Sequence, residues 1–448
     1  MQENKMGIMP VRPLLLQMSW PIMLSMLIQA LYNMVDSFFV ARISAEAFEA
    51  LALVYPVQTL MIAICVGTGV GVNAMLSRRL GEKRLGEANA VAVNGYFLYF
   101  ATWLLFVVLS LAFGRGYMAM FTGKSAVFRF GLDYLTIVTV CSLGVCFQFA
   151  AERVLQATGN AVGPMIVQGI GAVVNLILDP VLIFGIGPFP RLEVVGAALA
   201  TVIGQIVGMV VGLVMVAKNP VLTLRVRGFR PSGKVIGDIY RIGAPAIAMQ
   251  ALTTVMTMGM NKILAQVTET GVFILGAYFK LQSFIFMPVY GLNNGLTPLV
   301  SFNYGARHRE RIRGLIRFAL AIACGIMAAG TLLMLLAPGP LLRIFDATQQ
   351  VLADGVPALR IIAASFLFAG VSIVLCAAFQ AMGSATLSLV VSLLRQAVVL
   401  LPAALLLGLV RPGLVWLAFP VAEVLSCGVA ALLYKRLRRT KIMSLEDV

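Results

Sequence analysis

Residues 51–76 of the chain are LALVYPVQTLMIAICVGTGVGVNAML, a stretch that no charged residue interrupts. A helix needs roughly 20 apolar residues to cross the hydrocarbon core of a bilayer, so this stretch is long enough for one crossing. The whole chain has the same apolar character, because 60% of its 448 residues are hydrophobic and only 12% are charged. An ordinary soluble domain has about 25% charged residues. The sequence therefore predicts an all-α polytopic membrane protein and excludes a soluble enzyme or an extramembrane receptor.

Apolar runs that end at charged residues, glycines and prolines predict twelve transmembrane helices. The first run contains Asn33 and Asp36 and is too long for a cleaved signal peptide, so it counts as a span. The predicted spans are 14–40, 51–76, 89–113, 129–156, 164–186, 195–217, 239–264, 273–300, 314–337, 351–380, 385–409 and 413–437.

Lysine and arginine are distributed unequally between the two sides of the predicted membrane. The two termini and the connections after spans two, six and eight, counted together with the span ends that adjoin them, carry 21 of them, whereas the opposite side carries 6. By the positive-inside rule, both termini are predicted to be cytoplasmic. The net charge of +16 is thus explained by membrane orientation, and no nucleic-acid partner is expected, since the basic residues are divided among short loops.

The two halves of the sequence match at an offset of 224 residues. The matched pairs are Pro21 and Pro245, Gln58 and Gln282, Gly67 and Gly291, Gly71 and Gly295, Gly81 and Gly305, Gln156 and Gln380, and Gly159 and Gly383. Each half contains six predicted spans, so the halves are parallel repeats, as found in secondary transporters. The predicted domains are an N-terminal six-helix lobe at 1–217, a cytoplasmic linker at 218–238 and a C-terminal six-helix lobe at 239–448.

The residue types that hold metals or carry out covalent catalysis are not grouped in this sequence. The six cysteines lie in apolar runs without a CxxC pair, and the single histidine, His308, lies in a basic loop. The glycines of 67–71 lie inside a span with no lysine after them, which predicts a helix-packing face and no phosphate loop. We therefore predict no enzyme activity, no metal site and no cofactor.

Acidic residues inside predicted spans are the strongest functional signal, because a charge in the bilayer is costly. Asp36 in span one and Asp179 in span five would lie at similar depth in the outer half of the membrane, each with a polar residue one helical turn away. The predicted coupling-ion site consists of Tyr32, Asp36, Tyr134, Asn175, Asp179 and Thr201. Two crowded carboxylates would exchange a proton, and the same oxygen atoms would also suit Na⁺. The alternative interpretation is a pair of aspartates at helix ends, level with the membrane surface.

The C-terminal half has a different set of charges inside its spans. Lys280, Arg395 and Glu423 predict a buried ion-paired network, in a role that is either structural or in contact with substrate. Glu152 and Arg153 are expected at the solvated inner end of span four.

Several stretches resemble the multidrug and toxic compound extrusion (MATE) family when they are taken together in this order. They are Tyr32-Asn33-Met34-Val35-Asp36, Gly81-Glu82-Lys83-Arg84, Leu155-Gln156-Ala157-Thr158-Gly159, Asn175-Leu176-Ile177-Leu178-Asp179-Pro180 and Gly196-Ala197-Ala198-Leu199-Ala200-Thr201. The branch that these stretches resemble is that of DNA-damage-inducible protein F. The resemblance implies that Asp36 is the central coupling residue and that the ion site lies in the N-terminal lobe. Span seven carries no acidic residue and span ten has only Asp354, near its start, so a cation site in the C-terminal lobe is not expected.

The resulting hypothesis is a secondary antiporter in the bacterial cytoplasmic membrane, which exchanges H⁺ or Na⁺ for small amphipathic or cationic compounds. One alternative is a lipid-linked oligosaccharide flippase of the same superfamily, which would need a basic cleft for which only Lys280 and Arg395 are candidates. Another is an intramembrane aspartyl protease, whose sequence motifs do not surround Asp36 and Asp179. The partners expected are the lipid bilayer and a small-molecule substrate, and the default expectation for the oligomeric state is a monomer.

Overall fold

A computed structural model describes residues 4–226, 228–345 and 347–445, except for the side chains of 32–34, 36–38 and 40–41. All regular secondary structure in these ranges is helical, which confirms the predicted fold class. The α-helices are α1 (Lys5–Ile8), α2 (Val11–Ala41), α3 (Ala45–Gly81), α4 (Leu85–Phe121), α5 (Ser125–Val140), α6 (Leu143–Ala157), α7 (Val162–Phe184), α8 (Glu193–Ala217), α9 (Gly233–Val267), α10 (Gly271–Gly305), α11 (Arg309–Leu336), α12 (Pro338–Arg343), α13 (Gln349–Ala363), α14 (Phe366–Ala381), α15 (Ala385–Leu393), α16 (Leu400–Val410) and α17 (Ala418–Leu437). Short π-helices at Leu394–Val398 and Arg438–Ile442 and a 3₁₀-helix at Pro412–Leu417 complete the described chain.

The number of membrane-spanning helices agrees with the prediction. Ten helices of the described chain are long and apolar enough to cross a bilayer, and the count rises to twelve when the bent pairs α5–α6 and α13–α14 are each taken as one span. The bends are 42° and 46°. A serine hydroxyl donates to a nearby backbone carbonyl at each bend, with Ser142 2.7 Å from the oxygen of Thr139 and Ser365 2.6 Å from that of Ile362. Such bonds compete with the helical ladder and favour bending.

Several helices extend well beyond the predicted spans. Helix α3 begins after Ser44, whose hydroxyl accepts a hydrogen bond from the amide of Ala47 at 3.0 Å, and it continues through Arg78 and Arg79. Basic residues favour a helix C-terminus, so the charges that end the apolar run do not end the helix. Just beyond, burial raises the pKa of Glu82, but hydrogen bonds from Arg79 and Arg78 outweigh this effect and hold the pKa below its usual value.

The backbone repeats its unusual conformations at the same offset of 224 residues. Lys83 and Arg307 both adopt a positive φ, at 60° and 62°. Gly159 and Gly383 do the same, at 89° and 70°, where the absence of a Cβ removes the strain. The internal repeat predicted from the sequence therefore extends to the conformations of its loops.

Contacts divide the chain into two compact units, and each division falls inside a helix. The N-terminal unit is Leu24–Gly243, and the C-terminal unit is Met1–Met23 with Ala244–Val448. The chain therefore passes from one unit to the other within α2 and within α9, next to Pro21 and Pro245. The predicted lobes at 1–217 and 239–448 describe the sequence repeat and stay a prediction, since contacts group the first 23 residues with the second half.

Candidate functional site

A carboxylate, an amide and a hydroxyl meet between α7 and α8 in the N-terminal unit. Asp179 is completely buried, with 0% of its surface exposed, and Asn175 and Thr201 are buried beside it. The amide nitrogen of Asn175 lies 3.3 Å from Oδ1 of Asp179 and 3.3 Å from Oγ1 of Thr201. The structure therefore brings together three of the six predicted site residues.

The amide of Asn175 joins its two neighbours whichever way it is turned. With its oxygen and nitrogen exchanged, it donates to Oδ2 of Asp179 at 3.2 Å and accepts from the backbone amide of Thr201 at 3.1 Å. Both orientations connect the same two helices. Asn175 thus fixes the position of Asp179 relative to α8.

Small residues allow α7 and α8 to approach closely enough for this contact. A Cβ on Gly204 would lie 2.7 Å from the carbonyl oxygen of Gly171 and 3.2 Å from the Cβ of Asn175. Nearer the other end of the pair, a Cβ on Gly196 would lie 2.5 Å from the carbonyl oxygen of Leu182. Close approach through small residues is the usual way in which helices associate in membranes.

Tyr134 lies in the same region, on α5. It is buried and belongs to one apolar cluster with Ile183, Val194, Ala197 and Ala198, residues that flank Asp179 and Thr201 along α7 and α8. Its position agrees with the predicted site but does not test its role.

The remaining two predicted site residues, Tyr32 and Asp36, belong to α2. Their side chains lie outside the described residues. The predicted pairing of Asp36 with Asp179 therefore stays a prediction.

The structure adds a second carboxylate, Glu152, that the sequence interpretation placed wrongly. Glu152 was expected at a solvated helix end, yet only 5% of its surface is exposed. It accepts a hydrogen bond from Nε2 of Gln148 at 3.1 Å. It is buried because α6 packs on α8, where a Cβ on Gly212 would lie 2.8 Å from the Cβ of Ala151. A signal was present in the sequence, since Gln148 and Glu152 have the same four-residue spacing as Asn175 and Asp179.

A cavity extends from this glutamate to Asn175 and Thr201. Its volume is about 70 Å³, and its polar lining residues are Gln29, Gln148, Glu152, Gln168, Asn175, Thr201 and Gln205. Side-chain amides and hydroxyls provide both donors and acceptors for hydrogen bonds. The cavity can therefore hold a water molecule or a small cation between oxygen atoms, and its carboxylate can take up a proton.

The charged network predicted in the C-terminal half is only partly present. Nε of Arg395 lies 2.6 Å from Oε1 of Glu423, and both side chains are largely buried. Lys280 takes no part in this pair, because it is exposed and its ammonium lies 5.6 Å from the centre of the Phe345 ring. The three charges predicted to form one network instead make one ion pair, between Arg395 and Glu423, and one separate cation–π contact, between Lys280 and Phe345.

Known proteins resemble this chain over nearly its whole length. An FAD transporter of Shewanella oneidensis is 26% identical over 94% of the chain and 93% of its own length. The multidrug export protein MepA of Staphylococcus aureus is 25% identical over 97% of the chain and 95% of its own length. Two solved structures share the fold. A MOP superfamily transporter from Pyrococcus furiosus has a TM-score of 0.91 at 22% identity, covering 99% of both chains, and an outward-facing multidrug resistance MATE family transporter has 0.90 at 23%, covering 100% of this chain and 99% of its own.

The family profile described as MatE matches two separate segments, 21–181 and 245–406. The matches begin at Pro21 and Pro245, the first pair of the repeat found in the sequence, so each half carries one copy of the family's unit. Together they cover well over half of the chain, and its helices provide the required membrane spans. The chain belongs to the MatE family of multi-pass membrane transporters.

Proposed function

We propose that this protein is a secondary exporter of the bacterial cytoplasmic membrane, which exchanges inward H⁺ or Na⁺ for outward amphipathic, often cationic, compounds. The observation that carries this proposal is the fully buried Asp179, held by Asn175 beside Thr201. The name of the MepA relatives supports multidrug export, and that of the Shewanella oneidensis relative supports FAD as one substrate to be tested. The resemblance to the DNA-damage-inducible protein F branch favours an ion site in the N-terminal unit.

The proposed coupling depends on the cost of burying an ionised carboxylate. An aspartate that carries a charge in an apolar interior is unfavourable unless it is paired, and a bound proton or Na⁺ removes most of that cost. Asn175 donates a hydrogen bond to the carboxylate, and its contact with Thr201 keeps that amide in place. If the ion favours one facing state of the transporter and the substrate the other, each shifts the population toward the state that the other needs.

Transport by the purified protein in liposomes tests the proposal. We expect a fluorescent cationic dye to move against an imposed gradient of either H⁺ or Na⁺, and FAD and a lipid-linked oligosaccharide are tested in parallel. The gradient that drives movement identifies the coupling ion. Dye binding without a response to either gradient would contradict ion coupling.

Movement of the oligosaccharide alone would favour the flippase. That alternative needs unpaired basic residues facing its substrate, and the structure neutralises Arg395 with Glu423 and places Lys280 over an aromatic ring. These contacts argue for the multidrug exporter over the flippase.

The proposed orientation has a direct test in reporter fusions. Fusions within 77–88, 218–238 and 301–313 are expected to report the cytoplasm, because these segments carry the basic residues. A fusion within 185–192, between α7 and α8, is expected to report the opposite side. A periplasmic signal from any of the first three would overturn the orientation.

A further inference from the structure

A second cavity lies within the C-terminal unit, with a volume of about 370 Å³. This volume falls in the range of roughly 300–1,000 Å³ that is usual for small-molecule sites. Much of its wall is aromatic, formed by Tyr278, Phe279, Phe286, Tyr290 and Phe419. The cavity is therefore large enough for a compound of one or a few fused rings.

The aromatic wall is already ordered by contacts among its own rings. The ring centres of Tyr278 and Phe419 are 5.5 Å apart in an edge-to-face arrangement, and those of Phe286 and Tyr290 are 6.4 Å apart. Tyr278 and Phe286 are each only 2% exposed. A ligand that stacks on such rings loses little affinity to side-chain ordering.

The ion pair of Arg395 and Glu423 also lines the cavity. One oxygen of Glu423, Oε1, faces the arginine, whereas the other, Oε2, is buried with no hydrogen-bond partner among the described residues. A buried acceptor without a donor costs free energy, and a buried ion pair adds little stability over apolar residues of similar size. The contribution of this pair to stability therefore does not explain its presence, whereas a ligand that donates a hydrogen bond to Oε2 would.

The backbone around Arg395 is irregular in a way that is typical of functional sites. Residues Leu394–Val398 form a π-helix between α15 and α16, an arrangement that often marks such sites. Arg395 and its neighbour Gln396 both line the cavity, although consecutive residues of a regular α-helix point about 100° apart. Oε1 of Gln396 accepts a hydrogen bond from the hydroxyl of Thr253 at 3.2 Å, which ties the π-helix to α9.

We propose that this cavity binds a planar aromatic compound with one cationic nitrogen. Its rings stack on the aromatic wall, and its N–H group donates to Oε2 of Glu423. Oε2 is a carboxylate oxygen without a donor in the described part of the chain, so an N–H group that carries a positive charge makes a strong hydrogen bond there, whereas a negative group would be repelled. This inference rests on the proposed function in one respect, because it assumes that the ligand is a compound that the protein exports.

Binding of ethidium, measured by fluorescence on the purified protein in detergent without any ion gradient, tests the proposal. Glu423→Gln keeps an oxygen that can accept from Arg395 but replaces the second acceptor with an NH₂ group. We expect the Kd for ethidium to rise about tenfold, as for the loss of a hydrogen bond to a charged group. Tyr290→Leu removes a ring from the wall and is expected to raise the Kd about three- to tenfold.

Glu310→Gln is the matched control. Glu310 also pairs with an arginine, Arg313 at 2.7 Å, but its side chain is 63% exposed and lies outside the cavity. The Kd of the Glu310→Gln variant for ethidium should equal that of the unmodified protein. Wild-type affinity in both Glu423→Gln and Tyr290→Leu would overturn the proposal, and Tyr290→Leu decides alone if Glu423→Gln does not fold. Intact binding without gradient-driven transport would instead count against the proposed function.

Discussion

Asp179→Asn is expected to abolish ion-driven efflux while leaving the protein folded. The asparagine has nearly the same size and still meets Asn175, but it can neither take up a proton nor neutralise a cation. A neutral amide is also cheaper to bury than a carboxylate, so the melting temperature should stay unchanged or rise. Without a differential interaction with the ion, the gradient no longer shifts the population of facing states. Gradient-driven dye transport in liposomes should fall at least tenfold.

Asp133→Asn is the control for this change. Asp133 precedes Tyr134 on α5 but is exposed, so the same chemical change should leave transport at the wild-type level. Asp36→Asn tests the predicted partner carboxylate in the same assay and is expected to match Asp179→Asn. Wild-type efflux by Asp179→Asn would remove it as a coupling residue and direct attention to Glu152, the other buried carboxylate among the described side chains of the N-terminal unit.

Gly204→Ala is expected to damage both the stability of the N-terminal unit and its ion site. The added Cβ would lie 2.7 Å from the carbonyl oxygen of Gly171, a backbone atom that cannot move aside without displacing α7. Overpacking of this kind costs about 1–3 kcal/mol, which outweighs the gain of about 1 kcal/mol in helix propensity. Because Asn175 also lies within contact distance of the new Cβ, dye transport should fall together with the melting temperature.

Gly169→Ala provides the matched control on α7 itself. A Cβ at Gly169 would meet no atom within 4 Å, so only the gain in helix propensity remains. We expect an unchanged or slightly higher melting temperature and normal transport. If Gly204→Ala behaved in the same way, close packing of α7 on α8 would not be what holds the site together.

The sequence predicted the number and type of helices because the bilayer imposes one simple requirement on every span. An apolar run of sufficient length is visible without knowledge of its packing partners. The ends of the helices were less predictable, since residues such as Arg78 and Arg79 continue α3 beyond the apolar run. The bends at Ser142 and Ser365 depend on side-chain hydrogen bonds that spacing alone does not reveal.

The candidate site was predictable where its residues share one helix. Asn175 and Asp179 are one turn apart on α7, and their contact follows from that spacing. The burial of Glu152 was not foreseen, because it arises from the packing of α6 on α8. The exposed position of Lys280 was not foreseen either. The apolar character of a span does not show which of its faces packs against other helices.

The passage of the chain between units within α2 and α9 has a consequence for the order of synthesis. The N-terminal unit is one continuous segment, Leu24–Gly243, and all of its residues have been made once the ribosome passes Gly243. The segment before it cannot complete its packing at that stage, since Ser19 and Met23 pack against Gly295 and Gly291, which are translated much later. The first residues to enter the membrane are therefore among the last to find their partners, and a nascent chain that stops near Gly243 would leave the first half of α2 without its packing surface.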